Sequence, residues 1–337
     1  MAPIEYRAPF VADDLAHGPR CDVVIATRNR PEPLDKCLRG LHEQSVGGFG
    51  VIIVDDASDV PITPSLEGLD GLDVTVTRLP APSGPAAGRN AGVARSSADL
   101  IIFLDDDIVP NRHFVETHIT AVTSGPEDGP PIVSCGPFVQ PADWVPNPWN
   151  LWEARQAKKE ADNLTSGAYP VSWRQFHTGN NCLPRAAFEA VGGFDESFKR
   201  AEDDELALRL HRYGCEFRFV PEAIAWHYSN RSLEAWLSIP RAYAHADIAM
   251  DRKYPDLGWL ARKERERSSR SLPSRVARSV LGGPKRSALG VSAAMAISKL
   301  TYRLKLTDVS MAALSAAYEL SYTDALRSEL RGDGVRP

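Results

Sequence analysis

Cysteine is scarce and dispersed: five residues (Cys21, Cys37, Cys135, Cys182, Cys215) in a chain of 337, with no C-x-x-C pair. That excludes a cysteine-based zinc site and a disulfide framework, and it fits a reducing compartment. Long apolar runs are absent as well; none approaches the ~20 residues a membrane-spanning helix needs. Basic charge is not in excess, since 39 Lys and Arg stand against 44 Asp and Glu, a net charge of −5. No whole-protein attraction to nucleic acid or to an anionic membrane follows from that balance. The N-terminus lacks the charged start and apolar stretch of a secretory leader, so a cytoplasmic location is expected. No glycine-rich turn follows the first predicted strand: Thr27-Arg28-Asn29-Arg30-Pro31 stands there instead. The glycine fingerprint of a dinucleotide-dependent oxidoreductase is thereby excluded. The remainder, 43% hydrophobic and 25% charged residues, is ordinary for a globular protein with a full-sized core.

What the chain does have is apolar runs that end in acids. Leu100-Ile101-Ile102-Phe103-Leu104 reads as a buried strand and runs into Asp105-Asp106-Asp107, a D-x-D arrangement. Val51-Ile52-Ile53-Val54 likewise runs into Asp55-Asp56. Cys21–Ala26 and Val74–Thr77 are further strand candidates, and helices are predicted near 33–44 and 88–96. Strands alternating with helices predict a doubly wound, mostly parallel sheet over residues 20–110. In such a sheet, acids at carboxyl ends face the crevice where ligands bind. Asp105 and Asp107, two apart, are suited to a hard cation such as Mg²⁺ or Mn²⁺ whose remaining sites take diphosphate oxygens. A solvated acidic turn is the competing reading of the same three residues.

The other acids and bases carry similar pairs of readings. Asp55 and Asp56 are either turn caps or acceptors for a base N–H and ribose hydroxyls. Gly84 to Asn90 opens a helix with small residues, and Arg89 within it is suited to phosphate or a base edge. Glu202-Asp203-Asp204-Glu205 fits a helix N-terminus electrostatically, but four consecutive acids exceed what a cap requires, and a general base is the functional reading. His227 is a core histidine or a metal ligand. Residues 125–150, rich in Pro, Gly and Trp, read as an irregular, substrate-facing loop. Between Arg252 and Arg286, 11 basic residues oppose three acids, which fits a solvated helix face or a docking surface for anionic lipid. Beyond residue 230 the pattern is helical. The last helix, about Asp308 to Leu330, carries Val309, Ala313, Ala316 and Leu320 at helical spacing, for packing on the catalytic domain or for a homodimer contact.

Taken in order, Val24–Asn29, Val54–Ser58, Gly88–Gly92, Leu104–Asp107 and Glu202-Asp203-Asp204 resemble the inverting family 2 glycosyltransferases. The segment from Gly179-Asn180-Asn181-Cys182 through Gly192–Asp195 to Glu202 is similar to a galactosyltransferase-type acceptor half. The resemblance implies a GT-A fold over residues 21–230, with a nucleotide-binding half (21–110) and an acceptor half (111–230). A lead-in (1–20) would precede it and a helical C-terminal region (231–337) would follow. It implies a nucleotide-sugar donor, a UDP-sugar first of all, bound with Mn²⁺ or Mg²⁺, and a glycan, lipid-linked or natural-product acceptor. Thr27 and Arg28 would line the base pocket, Asp55 or Asp56 would bond uracil or ribose, and Arg89, Asp105 and Asp106 would complete the nucleotide site. Asp107 and His227 would hold the metal. Asp203 would be the base, with Asp204 as its competitor, and Glu202 would orient the acceptor. Asp204, Asn180, Asn181 and the aromatic face of Trp149 would line the acceptor side. A nucleotidyltransferase or a non-catalytic sugar-binding relative are the alternatives; neither explains intact acids at both Asp105–Asp107 and Glu202–Asp203.

Overall fold

The computed structural model describes residues 19–64, 67–268 and 284–332. Apart from residues 19 and 20, the expected lead-in lies outside the described residues, as does the middle of the basic stretch 252–286. The chain forms two compact units, one of residues 1–142, 157–196 and 202–228, the other of residues 143–156, 197–201 and 229–337.

The first unit is built on β1 (Cys21–Thr27), β2 (Gly50–Asp55), β3 (Asp73–Arg78), β4 (Leu100–Leu104), β6 (Ile132–Cys135), β8 (Asn180–Pro184) and β9 (Glu216–Phe219), in the order β3-β2-β1-β4-β8-β6-β9. The first four strands are parallel, as the alternating pattern predicts, and β8 then runs antiparallel to both β4 and β6. A small second sheet joins β5 (Ile108–Pro110), β10 (Ala225–His227) and β7 (Phe138–Val139). Every residue of β4 is buried. That accounts for its continuous apolar run, because a strand covered on both faces has no reason to alternate.

Helix α1 (Pro31–His42) covers one face. Its Leu34, Leu38 and Leu41 fall on one stripe and join Val23, Ile25, Ile53 and Ile102 in the core. Helix α2 (Pro85–Val93) packs on β1 and β2 through two glycines. A Cβ on Gly88 would lie 2.9 Å from that of Ala26, and one on Gly92 would overlap Val24 and come within 3.2 Å of Val54. The small residues of α2 thus serve close helix–sheet packing, where the sequence suggested close approach to a ligand.

Two sequence expectations need correction. The segment 125–150 is not irregular throughout, for it holds β6 and β7. These strands are four and two residues long, and their partners lie in β8, β9 and β10. No local periodicity can announce pairing that distant in sequence. In the second unit, the inward face of the helix Thr307–Leu330 departs in part from the expected stripe: Leu320 is buried as expected, but Val309 is 49% exposed, whereas Ser310, Leu314 and Ala317 are buried. The cause is small-residue packing against the helix Pro284–Arg303, where the Ser298 and Ser310 hydroxyls bond at 2.8 Å.

The rest of the second unit consists of α7 (Leu233–Lys253) and α8 (Trp259–Ser268), together with residues 148–156 of α4 (Pro148–Thr165). Trp152 meets Trp236 edge-on at 5.6 Å, stacks on Tyr318 at 5.2 Å and donates its N–H to Ser315 at 2.8 Å. Asp247, 3% exposed, accepts from the Trp259 indole and the Tyr322 hydroxyl. Among the described residues, no helix is long and apolar enough to cross a membrane.

The packing of α2 gives a stability prediction. Gly92→Ala should lower the thermal midpoint by an amount matching about 1–3 kcal/mol, the usual cost of overpacking. Gly47→Ala, where an added Cβ meets nothing within 4 Å, should leave the melt unchanged.

Candidate active site

Because β1, β2 and β4 run in parallel, their carboxyl ends lie along one edge, with Thr27 in register with Asp55. The chain leaves that edge in strained turns: Asn29 and Ala57 both have positive φ (55° and 53°). Asn29 donates its backbone N–H to the Ser58 hydroxyl at 2.8 Å, and its side chain pairs with Asp59, which ties the two loops together.

Asp55 and Asp56 are anchors of these loops. Asp55 accepts from the backbone of Ser58 at 2.8 Å and of Ile62 at 3.2 Å, and from Arg78. Burial would raise its carboxyl, but these hydrogen bonds hold it below its ordinary value. Asp56 accepts from the backbone of Ser83 at 2.7 Å and of Gly84 at 2.9 Å. Both acids expected on the base or ribose are thus already bonded to their own chain.

The three aspartates after β4 have separate partners. Asp106 accepts from the Thr27 hydroxyl at 2.7 Å and from Arg30 at 2.6 Å. Burial pushes its carboxyl up to about 7 despite Arg30. Asp107 accepts from the other arm of Arg30 at 2.7 Å and faces His227 Nε2 at 3.4 Å. Burial alone would raise Asp107, but His227 and Arg30 together hold it well below the usual carboxylate range. His227, 120 positions away, is brought there by the pairing of β10 with β5, which sets it opposite Ile108. Asp105 is bonded by Arg89 at 2.8 Å, and Gly179 (φ +112°) presses against its carboxylate, leaving no room for a Cβ.

Arg89, 6% exposed, bonds Asp105 with one nitrogen and Glu202 with another at 2.9 Å. Desolvation works against its charge, yet the neighbouring acids keep the guanidinium firmly protonated. Glu202 opens helix α6 (Glu202–Tyr213), directly after Ala201 with φ +58°. Positive φ at a non-glycine residue is a strain that concentrates at functional sites. Asp203 accepts from the Asp204 backbone at 2.9 Å and faces His177 Nδ1 at 3.9 Å, while His177 Nε2 meets Glu160 at 3.2 Å. Burial and the adjacent Asp203 charge raise Glu202; burial would also raise Asp203, but His177 turns it downward. Glu205, fully buried, is held by Arg209 and belongs to the fold.

Thr27, Arg89, Asp105, Asp106, Asp107, His227, Glu202 and Asp203 therefore form one connected set. Arg28 is exposed and stands outside it. Asn180 does not face a substrate: it is 1% exposed, and its amide is used by His118, Pro137 and Ala223. Asn181 donates to the His177 carbonyl at 2.8 Å. Trp149 belongs to the second unit, where its indole donates to the Arg231 carbonyl at 2.8 Å. Sequence reading missed Arg30, His177 and Glu160. Arg30 was visible in the turn after β1, just before α1. Nothing in the sequence singled out Glu160, and His177 had only its place two residues before Gly179.

Among the described residues, no three His, Cys, Asp or Glu side chains converge to enclose a metal ion. Asp107 and His227 offer two donors 3.4 Å apart. Two ligands of one cation at ~2.1 Å and right angles sit about 3 Å apart, so this pair fits a cation that takes its other ligands from substrate and water.

Residues 22–179 match the family model described as glycosyl transferase family 2, and residues 162–231 match that described as the N-terminal domain of galactosyltransferase. A pre-mycofactocin glycosyltransferase of Mycobacterium tuberculosis is 28% identical over 235 residues, covering 69% of this chain and 48% of its own length. A validoxylamine A glucosyltransferase of Streptomyces hygroscopicus is 30% identical over 227 residues, covering 59% and 53%. The chain thus spans about half the length of these relatives. The crystal structure of Staphylococcus aureus TarS superposes with a TM-score of 0.50 at 15% identity, over 92% of this chain and 55% of that one. This last likeness concerns the fold.

The state of Asp106 has a consequence for stability. A carboxyl raised to about 7 binds a proton in the folded state that it has lost in the unfolded state above pH ~4. Its contribution is present at acid pH and declines as pH rises from about 4 through 7. Asp106→Asn should therefore gain thermal midpoint relative to the parent between pH 5 and pH 8, by up to ~4 kcal/mol. Melting curves across that range check the sign.

Proposed function

We propose that this chain, whose residues 22–179 match the family 2 glycosyltransferase model, transfers a sugar from a nucleotide-sugar donor to an acceptor hydroxyl, with inversion and with Asp203 as general base. The observation that carries this reading is the bridge made by Arg89, which joins the aspartate after β4 to the acids opening α6. An in-line displacement needs both ends served at once. Negative charge grows on the departing diphosphate while a proton leaves the attacking hydroxyl.

On the donor side, Asp107 and His227 would hold Mn²⁺ or Mg²⁺, which supplies positive charge against the leaving group. Arg30 now bonds the same Asp107 oxygen that faces His227. Its side chain is 41% exposed, so it has room to swing from the acid to a diphosphate. Asp106, fixed by Thr27, keeps the turn in place while Arg30 moves. Arg89 stays charged through the cycle and holds Asp105 toward the ribose.

On the acceptor side, Asp203 is the ionised member of its pair and takes the hydroxyl proton; Glu202, tethered by Arg89, orients the acceptor. A relative named for validoxylamine A supports a small natural product as acceptor, and its name makes a glucosyl donor the first to try. Help from a general base of this kind is typically worth about 10²–10⁴-fold.

Calorimetric titration of UDP- and dTDP-sugars, with Mn²⁺ and with chelator, tests the donor site. Tight binding of one donor that requires the metal and is lost in Asp107→Asn is the expected result; failure of every nucleotide sugar to bind folded protein with metal would overturn the reading. Asp203→Asn should bind that donor normally and lose turnover by about 10²-fold or more. Joint loss of binding and turnover would remove Asp203 from the role of base.

A further inference from the structure

We propose that His177, steadied by Glu160, is a positioning residue for the base, holding the Asp203 carboxylate ionised and oriented as the acceptor hydroxyl is deprotonated. This rests on the reading of Asp203 given above. The three groups form a line: Glu160 on α4, the imidazole of His177, and Asp203 in the first turn of α6. Each ring nitrogen faces a carboxylate oxygen, Nε2 at 3.2 Å from Glu160 and Nδ1 at 3.9 Å from Asp203. A neutral imidazole has one donor and one acceptor, and the acceptor would point at an anion. The imidazolium, with two donors, is the form this geometry selects. Desolvation pulls the ring down, and the two acids more than offset it, holding it well above its ordinary value.

The backbone makes the placement firm. The His177 carbonyl accepts from Asn181 at 2.8 Å, and Phe176 and Thr178 on either side are buried. The ring faces Glu160 and Asp203; Asp203 in turn faces His177, with Arg89 beyond and with Glu202 and Asp204 on its own helix. Without the imidazolium, buried Glu202 and part-buried Asp203 would be adjacent acids with Arg89 as their neighbouring cation, bonded to Glu202 alone. Such a pair holds a proton up toward neutral pH, because two like charges cannot ionise independently at that distance. With His177 in place, Asp203 is the member that stays ionised.

The proton account is closed. The acceptor O–H gives its proton to Asp203, the acceptor oxygen forms the new bond to the anomeric carbon, and the old C–O bond leaves its electrons on the diphosphate. His177 keeps its own proton throughout. When Asp203 becomes neutral, Glu160 remains as the counter-charge of the imidazolium, so no isolated cation is left behind. This gives Glu160, which contacts neither donor nor acceptor in this scheme, a defined task.

Two measurements on the full chain test the proposal. The first needs no substrate: the ring ¹⁵N signals of His177, assigned by their loss in His177→Gln, are followed with pH in the parent, in Glu160→Gln and in Asp203→Asn. The midpoint should lie well above that of an ordinary histidine and fall by about one pH unit or more in each variant. Titration near the ordinary value, unmoved by either substitution, would overturn the proposal. The second is the pH profile of kcat/KM in His177→Gln. Its acid limb should move up by about one unit, with activity recovering toward pH 8–9 and donor affinity unchanged. A uniform loss at every pH would mark a merely structural histidine and also overturn it. If Asp203→Asn keeps its turnover, the base reading fails instead, and the ring titration still reports whether the three groups are coupled.

Discussion

The arrangement of the site depends on how one buried guanidinium is shared. Arg89 lies on α2, which is pressed against β1 and β2 by Gly88 and Gly92, so its root has little freedom. From there it reaches an aspartate at the end of β4 and a glutamate at the start of α6, 113 residues further on. Phe194 packs against the guanidinium at 5.7 Å. A charge taken out of water must be paired and hydrogen-bonded, or its desolvation outweighs any gain. Arg89 meets that condition through both acids, so the turn after β4 and the helix bearing Asp203 are held to one another electrostatically.

The same requirement explains why so many carboxylates can be crowded along one edge. Parallel strands deliver their carboxyl ends together, and here those ends bring Asp55, Asp56, Asp105, Asp106 and Asp107. Unpaired, they would repel. Asp55 is satisfied by backbone donors and Arg78, Asp56 by the amides of Ser83 and Gly84, and the last three by Arg89, Arg30, Thr27 and His227. Two acids thus shape loops, while the other three are paired in the turn after β4. The positive φ values of Asn29 and Ala57 belong to the same economy, since a turn tied down by several hydrogen bonds tolerates backbone strain that a free loop would relax.

Much of this was legible in the sequence, and the division between what was and was not is physical. The parallel sheet and the acids at its edge could be read because a doubly covered strand must be continuously apolar, and its end must turn polar where the crevice opens. The core stripe of α1 followed from helical periodicity. By contrast, Asn180 is expected on the acceptor side, because a sequence cannot show that His118 and two carbonyls wait for it in the interior. Arg30 stands in a polar turn with nothing local to mark it; its partners Asp106 and Asp107 are 76 and 77 positions away. His177 and Glu160 acquire meaning only once α4, the lead-in to β8, and α6 are assembled. Motifs mark the groups that meet ligands, whereas the groups that tune those motifs are recruited by topology.

The two acid pairs of the site obey one rule. Asp106 and Asp107 are neighbours with nearly the same burial, yet burial raises the first while His227 and Arg30 depress the second. Glu202 and Asp203 are neighbours too, and again one rises while the other falls, because His177 faces only Asp203. In each pair a histidine from a distant strand or loop is what breaks the symmetry. Splitting adjacent carboxyls in this way lets one fold keep an acid available for hydrogen bonding beside an anion available for charge work at the same pH. Under the function proposed above, the depressed member of each pair is the one assigned to chemistry, Asp107 to a cation and Asp203 to a proton. Arg89 hydrogen-bonds neither of them; it bonds Asp105 and Glu202, and so fixes the framework around both anions.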